Sequence, residues 1–173
     1  MPELYITHYY LRGTDPWQNI MALPEKEAFR KAKELAAKYE YRTSVGRFAD
    51  FERYYPLRKN TDKTVREAFI RLGGHPRLAH PYHFVLLECG YLREWYDNEE
   101  SLRIPLDDIP DDQISFTLGD SCAKYAVKDT LEVFTKETIR EKLRDFDDSL
   151  EKLLESIPPF RYVEAQVWCR PKT

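Results

Sequence analysis

The sequence is poor in the residues that would mark a disulfide-bonded, zinc-ribbon or membrane protein. Its 173 residues contain three cysteines, Cys89, Cys122 and Cys169, too few and too scattered for a disulfide framework or a Cys-x-x-Cys motif. We therefore interpret them as reduced, buried thiols in a cytoplasmic setting. No run approaches the roughly 18 apolar residues of a membrane helix, and the N-terminus lacks the pattern of a secretory signal. We expect no membrane association.

The fingerprints of several enzyme classes are also missing. With only six glycines, the chain has no glycine-rich phosphate loop and no Gly-x-Ser-x-Gly elbow. The acidic residues between Asp107 and Asp120 do not follow the EF-hand pattern, so a solvated loop is the default interpretation. Two of these carboxylates could act as acid and base only if the fold buries one of them. Whether the chain is an enzyme is left open, and we predict no cofactor.

Aromatic and charged residues are abundant. Aromatics make up 14% of the chain and charged residues 33%, with a net charge of −3. The aromatic content provides enough apolar surface to offset the entropy of folding, so we predict one globular domain over residues 1–173. Residues 30–77 hold 13 basic and 6 acidic side chains, whereas residues 94–121 hold 9 acidic and 1 basic. These regions are either ordinary solvated faces or surfaces that meet within the fold or across a homo-oligomer.

Alternating and apolar runs predict a set of strands separated by turn residues. The predicted strands span residues 4–11, 84–89, 102–106, 114–118 and 162–168. A further hairpin is predicted from Tyr125–Val127 and Leu131–Phe134, with its turn at residues 128–130.

Helical periodicity predicts about three helices. The first begins near Pro24, the second after a cap at Thr61 or Asp62, and the third after a cap at Thr135 with a break near Asp147. Helices and strands are intermixed without a regular βαβ repeat. The sequence therefore predicts an α+β fold with a mostly antiparallel sheet and about three helices packed against it.

A basic and aromatic segment is the best candidate for an anionic ligand. Arginine offers a forked set of donors that matches phosphate or carboxylate, and tyrosine rings can stack on bases. The alternative is that the rings are core residues and the arginines pair with nearby acids. The candidate residues are Arg47, Arg53, Tyr54, Tyr55 and Arg58.

Three of the four histidines lie within nine residues, at His75, His80 and His83. Histidine titrates near neutral pH and binds metals, so these side chains are candidates for proton transfer. Zinc needs three or four well-placed ligands, and no nearby carboxylate has an established spacing, so we predict no metal site. A stiff, proline-rich surface loop is the alternative interpretation.

Two segments resemble an uncharacterised family of short bacterial proteins. They are Tyr5–Trp17 (YITHYYLRGTDPW) and Gly46–Pro56 (GRFADFERYYP), and the resemblance extends over most of the chain. It implies a bacterial cytosolic setting, and no activity or site residue comes with it.

The leading hypothesis is therefore a small cytosolic binding or regulatory module for a protein or an anionic small molecule. Tyr, Trp and Arg dominate interaction hot spots, and the sequence is rich in them. One alternative is an enzyme acting on a nucleotide or other phosphorylated small molecule, with the arginines holding the anion and a histidine moving protons. The other is single-stranded nucleic-acid binding, which an acidic chain disfavours.

Overall fold

A computed structural model describes residues 3–126 and 131–172, and its centre is one five-stranded sheet. The sheet order is β3-β1-β2-β5-β4, and every neighbouring pair is antiparallel. The predicted α+β class with an antiparallel sheet is confirmed. The strands are β1 (Tyr5–Tyr10), β2 (Tyr82–Leu86), β3 (Glu100–Pro105), β4 (Ile114–Leu118) and β5 (Val163–Val167).

The described residues form seven α-helices, so the prediction of about three is wrong. Four of the seven are only four to seven residues long, which is too short for a 3.6-residue period to show in the sequence. In residues 3–126 and 131–172, no helix is both long and apolar enough to cross a bilayer. The helices are α1 (Glu25–Lys38), α2 (Gly46–Ala49), α3 (Phe51–Arg71), α4 (Gly90–Trp95), α5 (Ser121–Ala126), α6 (Lys136–Arg144) and α7 (Leu150–Ser156).

The main apolar core lies between one face of the sheet and helices α6 and α7. Phe84 and Phe116 from the sheet pack with Ile139, Leu143 and Leu153 from the helices, and all five are buried. Side chains on one face of a strand alternate with those on the other, so this core uses only every second strand residue. The opposite face is covered by α3 beside His83 and by α4 beside Tyr9 and Val85.

Helix α3 begins ten residues before the predicted cap. Thr61 and Asp62 lie inside it, and Pro56 is accommodated near its start. The Thr61 hydroxyl donates to the carbonyl of Leu57 (2.8 Å), and the Asp62 carboxylate pairs with Arg58. Both side chains therefore bond backward within the helix, and neither caps a helix start as the sequence suggested.

Helices α6 and α7 follow the sequence prediction closely. The Thr135 hydroxyl accepts from the N–H of Thr138 (3.2 Å), which confirms the predicted cap. The break near Asp147 is also confirmed, since Asp147 and Asp148 adopt left-handed φ values of 56° and 57°. Ser149 caps α7. The chain therefore changes direction at two residues that interrupt a continuous apolar pattern.

The predicted hairpin after residue 124 is wrong in its first strand. Residues 121–126 form α5, because the Asp120 carboxylate accepts from the N–H groups of Cys122 (2.8 Å) and Ala123 (3.4 Å) and starts a helix. Only Phe134 of the predicted second strand pairs with the sheet, through an isolated bridge to Phe116. Val127 of the predicted first strand and the predicted turn at 128–130 lie outside the described residues.

The basic and acidic regions of the sequence meet beside α2 and α4. The Arg42 guanidinium contacts the carboxylates of Asp97 (3.3 Å) and Glu99 (2.7 Å), just after α4 ends. This contact supports the interpretation that the two regions face each other within the fold. It also brings the end of α4 against the start of α2, next to Arg47.

Candidate functional site

The sheet face that α3 covers carries a row of polar side chains. The strand register pairs Ser115 with Gln166, Thr117 with Glu164, and His83 with Gln166, so all five share one face. All except His83 are buried. Burying polar groups is costly unless each finds a partner, so their partners decide what this face does.

A chain of hydrogen bonds satisfies the strand side chains. The Trp168 indole donates to the Ser115 hydroxyl (2.9 Å), which donates to the Gln166 amide oxygen (2.8 Å). The Gln166 amide nitrogen then donates to the Thr117 hydroxyl (3.0 Å) and to the Glu164 carboxylate (2.9 Å). The order of donors fixes the orientation of the amide and holds the Glu164 carboxylate in one position.

Helices α3 and α5 add charged partners from above the sheet. Arg58, only 5% exposed, donates to the Asp62 carboxylate (2.8 Å) and to the Ser121 hydroxyl (3.0 Å). The Ser121 hydroxyl donates to Glu164 (2.6 Å). One guanidinium is thus linked to a carboxylate on its own helix and, through a serine, to a carboxylate on the sheet.

Two predicted histidines complete this arrangement. His80 Nδ1 lies 2.8 Å from the Asp62 carboxylate. His83 has one ring nitrogen 3.3 Å from Glu164 and the other 3.7 Å from Asp62, and its side chain is 33% exposed. We call the set of Arg58, Asp62, His80, His83, Ser121 and Glu164 the polar cluster.

The charges of the polar cluster shift one another's pKa values. Burial works to raise the pKa of Asp62, but Arg58 and the two histidines hold it well below its ordinary value. Burial acts in the same sense on Glu164, and His83 and Arg58 lower its pKa to about 2. Burial and Arg58 lower the pKa of His83, yet Glu164 and Asp62 outweigh them and raise it. The carboxylates are therefore ionised at neutral pH, with the imidazole held between them.

Arg47, unlike Arg58, has no carboxylate partner among the described side chains. It is half-buried on α2, and its guanidinium donates to the Ser44 carbonyl and to the Tyr96 hydroxyl (3.3 Å) while lying 4.5 Å from the centre of the Phe48 ring. No carboxylate of residues 3–123 or 131–172 lies within 4.0 Å of its nitrogens. Burial lowers the pKa of Arg47, and Tyr96, Tyr54 and Asp120 more than offset this effect, so the pKa is raised.

Two half-buried side chains, Tyr54 and Asp120, interact electrostatically with both Arg47 and the polar cluster. Burial raises the pKa of Tyr54, and the nearby charges of Arg58 and Arg47 act to lower it, so the phenol senses both guanidinium groups. Burial and Glu164 raise the pKa of Asp120, and Arg58 acts against them. We call Arg47, Tyr54, Tyr96 and Asp120 the Arg47 patch. It adjoins the polar cluster and is more exposed to solvent.

The structure brings together five of the eight residues that the sequence singled out. Arg47 and Tyr54 belong to the Arg47 patch, and Arg58, His80 and His83 belong to the polar cluster. Residues 54, 58 and 62 lie at four-residue steps on one face of α3, which explains why they converge.

The other three predicted residues lie elsewhere. Arg53 is exposed on α3. Tyr55 is buried in a separate apolar cluster, with its ring centroid 5.3 Å from Phe29 and 5.4 Å from Phe51. His75 is 80% exposed beside Asp112 (3.7 Å). Positions 53 and 55 are each about 100° from position 54 around the helix, so they cannot share its face.

Sequence reasoning missed the carboxylates that organise the site. Asp62 and Glu164 were not candidates, and Asp120 was assigned by default to a solvated loop. Asp62 follows Arg58 by four residues, which is the spacing of a helical ion pair. The alternation of Val163, Ala165 and Val167 was recognised as a buried face. Glu164 and Gln166 alternate with these residues and therefore lie on the other face of the strand. If that face had also been predicted to be buried, a buried polar network would have followed.

The carboxylates of the polar cluster are already occupied by guanidinium, imidazole and hydroxyl donors. Consistent with this, the part of the chain that the structure describes has no group of three or more His, Cys, Asp or Glu side chains placed to hold a metal ion. Two surface grooves, of about 580 and 550 Å³, lie beside Leu87 and Leu154 and between α1 and α3 beside Phe29. Neither is lined by residues of the polar cluster or the Arg47 patch.

Comparison with known proteins adds no assignment to this geometry. No protein-family model, curated protein or solved structure matches the chain. The resemblance to short bacterial proteins therefore stays a prediction, and the function is argued from the site alone.

Proposed function

We propose that the chain binds a small anionic molecule, with a phosphate as its charged group, at the Arg47 patch. The observation that supports this most strongly is the contrast between two arginines. Arg58 is paired with a carboxylate at 2.8 Å, whereas Arg47 is half-buried with no carboxylate of the described side chains within 4.0 Å. A partly desolvated guanidinium without a counter-charge is stabilised when an anion binds.

The surroundings of Arg47 suit a phosphate. Its planar guanidinium offers two parallel donors to phosphate oxygens. Tyr96 accepts a hydrogen bond from Arg47 through its hydroxyl oxygen, so the hydroxyl proton remains able to donate to the ligand. Tyr54 supplies a second phenol near both guanidinium groups. Phenol rings also stack on bases, which is why a nucleotide is a suitable first probe.

Isothermal titration calorimetry with inorganic phosphate and adenosine monophosphate tests this proposal. We expect the wild-type protein to bind at least one probe and Arg47→Gln to lose at least tenfold in affinity. Arg53→Gln is the matched control, since Arg53 is exposed on α3 and lies outside the patch. Absence of binding by the wild-type protein, or equal affinities for wild type and Arg47→Gln, would contradict the proposal.

A second candidate function is catalysis on the bound molecule, favoured by the setting of His83. Its imidazole is partly exposed, with Nδ1 at 3.3 Å from Glu164 and Nε2 at a looser 3.7 Å from Asp62. Carboxylates that orient a histidine and stabilise its charged form are a common feature of acid–base catalysis. In this role Nε2 donates its proton to a ligand oxygen, and the neutral ring keeps its Nδ1 proton on Glu164.

Chromatography of nucleotide and sugar-phosphate probes after incubation with the protein tests the catalytic role. We expect His83→Gln to abolish conversion of a probe while leaving its affinity within about threefold, because His83 lies outside the Arg47 patch. If bound probes are recovered unchanged from the wild-type protein, the function is binding alone.

Single-stranded nucleic-acid binding has less support, because the buried Tyr55 ring is not placed to stack on a base.

A further inference from the structure

A surface groove between the end of β2 and helix α7 shares no residue with the polar cluster or the Arg47 patch. Its volume is about 580 Å³, which falls within the range of small-molecule pockets. Five of its nine lining residues are apolar or aromatic, namely Tyr5, Leu87, Leu150, Leu154 and Phe160. We call this depression the Leu87 groove. Its lining offers apolar contact to a ligand.

Leu87 lines the groove in a backbone conformation that is unfavourable for leucine. Its φ is 56°, in the left-handed region, where the Cβ atom crowds a neighbouring carbonyl. Its N–H donates to the carbonyl of Tyr5 (2.8 Å), which holds these two groove residues side by side. The side chain is only half-buried, so part of it is open to the groove. Strained residues of this kind are concentrated at ligand-binding positions.

Two glutamates at the groove have no positively charged partner. Glu151 and Glu155 lie one turn apart on α7, and both are exposed. Neither carboxylate has a hydrogen bond or a cation within 4.0 Å among the side chains that the structure describes. Lys152 lies between them in the sequence, but its amine is bound to Asp147 (2.6 Å). The carboxylates are therefore available to a cation in the groove.

The other charges that line the groove are already engaged. Glu88 pairs with Arg93 (3.0 Å) and with Arg103. The Arg161 guanidinium lies over the Tyr91 ring, 4.5 Å from its centre. The charges without an ionic partner are thus two glutamates against one arginine, which leaves the groove negative.

We propose that the Leu87 groove binds a small primary amine carried on an apolar chain or ring, with its hydrocarbon against Leu87 and its ammonium group at Glu151 and Glu155. This is a second site, and it does not depend on the proposed function of the Arg47 patch. Apolar contact supplies most of the affinity, and the carboxylates select the cation, because exposed charge pairs add only modest stabilisation. The α7 wall has seven residues and is about 10 Å long, which matches a small molecule better than a partner helix.

An NMR titration of the leucine methyl signals with 2-phenylethylamine, 2-phenylethanol and 3-phenylpropionate tests this proposal. The three probes share a phenylethyl group and differ in charge at neutral pH. We expect saturable shifts at Leu87 and Leu154, and the amine should bind roughly threefold or more tightly than the alcohol, with the carboxylate weakest. The double variant Glu151→Gln, Glu155→Gln should bind the amine only as tightly as the alcohol. Glu141→Gln, which changes an exposed acid on α6 outside the groove, should keep the preference.

Equal affinities of the wild-type protein for the amine and the alcohol would overturn the proposal, as would tightest binding of 3-phenylpropionate. Shifts that miss Leu87 and Leu154, or that rise linearly without saturation, would also contradict it. If a leucine- and lysine-rich helical peptide bound more tightly than the amine and shifted the same signals, the groove would be a protein-docking surface and the small-amine assignment would be wrong. The comparison among probes on the wild-type protein does not depend on whether any variant folds. Each of these failures leaves phosphate binding at the Arg47 patch intact, because that site is measured with separate probes.

Discussion

Replacing Asp62 with asparagine removes the buried negative charge that balances Arg58. Asp62 is 1% exposed and Arg58 5%, and their side chains meet at 2.8 Å. Breaking a buried ion pair by removing one partner costs roughly 3–5 kcal/mol, because the other charge stays buried and unpaired. Asparagine keeps one oxygen that can accept from Arg58, so we expect a loss near the lower end, about 3 kcal/mol.

Urea unfolding at pH 7, followed by circular dichroism, measures this loss. Glu67→Gln is the matched control, since Glu67 follows Lys63 on the same helix with the same four-residue spacing, but the pair is exposed and 4.0 Å apart. Exposed helical pairs contribute roughly 0.3–0.5 kcal/mol, so the control should barely move the midpoint. A loss below about 1 kcal/mol for Asp62→Asn would refute the view that the polar cluster is a closed network of buried charges.

Two further predictions concern pH and glycine. The folded-state pKa of Glu164, about 2, lies below its ordinary value, so its stabilisation is complete above about pH 5 and is lost as the pH falls towards 2. His8 has its pKa lowered to about 4 by burial, so the unfolded chain takes up its proton first, and stability falls between about pH 6.5 and 4. For Glu164, the urea midpoint should fall as the pH is lowered from about 5 to 2, and a flat profile there would contradict its shift. For His8, the raised pKa of His83 acts in the opposite sense, so the midpoint is compared with that of His8→Gln. The wild-type midpoint should fall relative to that variant between about pH 6.5 and 4, and a constant difference would contradict the His8 shift. Gly119→Ala should destabilise by about 1–3 kcal/mol, because Gly119 has φ +76° and a Cβ there would lie 2.4 Å from the Phe160 ring. Gly46→Ala, at a helical φ with nothing within 4 Å of the new Cβ, should instead stabilise by about 0.4–1 kcal/mol, and a loss comparable to that of Gly119→Ala would contradict this reasoning.

Local patterns were sufficient for the parts of the fold that depend on neighbouring residues. The strand at Tyr5–Tyr10, the cap at Thr135 and the break at Asp147 were all predicted, because alternation, capping chemistry and turn residues act over a few positions. The start of α3 was predicted wrongly. Pro56 and the aromatic run before Thr61 obscure its helical period, and only tertiary packing reveals it.

The site was predictable only in part, because its members are far apart in sequence. Arginines and histidines were chosen as chemically versatile residues, and Arg58 and His83 do converge. Glu164 lies some 80 residues beyond His83 in the sequence, and the two side chains meet because β2 pairs with β5. Strand order is not encoded in a local pattern, so a single sequence could not indicate this contact.

The most direct test of anion binding at Arg47 is an NMR titration of the arginine Nε–H signals with inorganic phosphate. We expect the Arg47 signal, assigned by its absence in Arg47→Gln, to shift and saturate, while the exposed Arg53 signal changes little. Shifts that are confined to exposed arginines such as Arg53, or that rise linearly without saturation at Arg47, would contradict a specific anion site in the Arg47 patch.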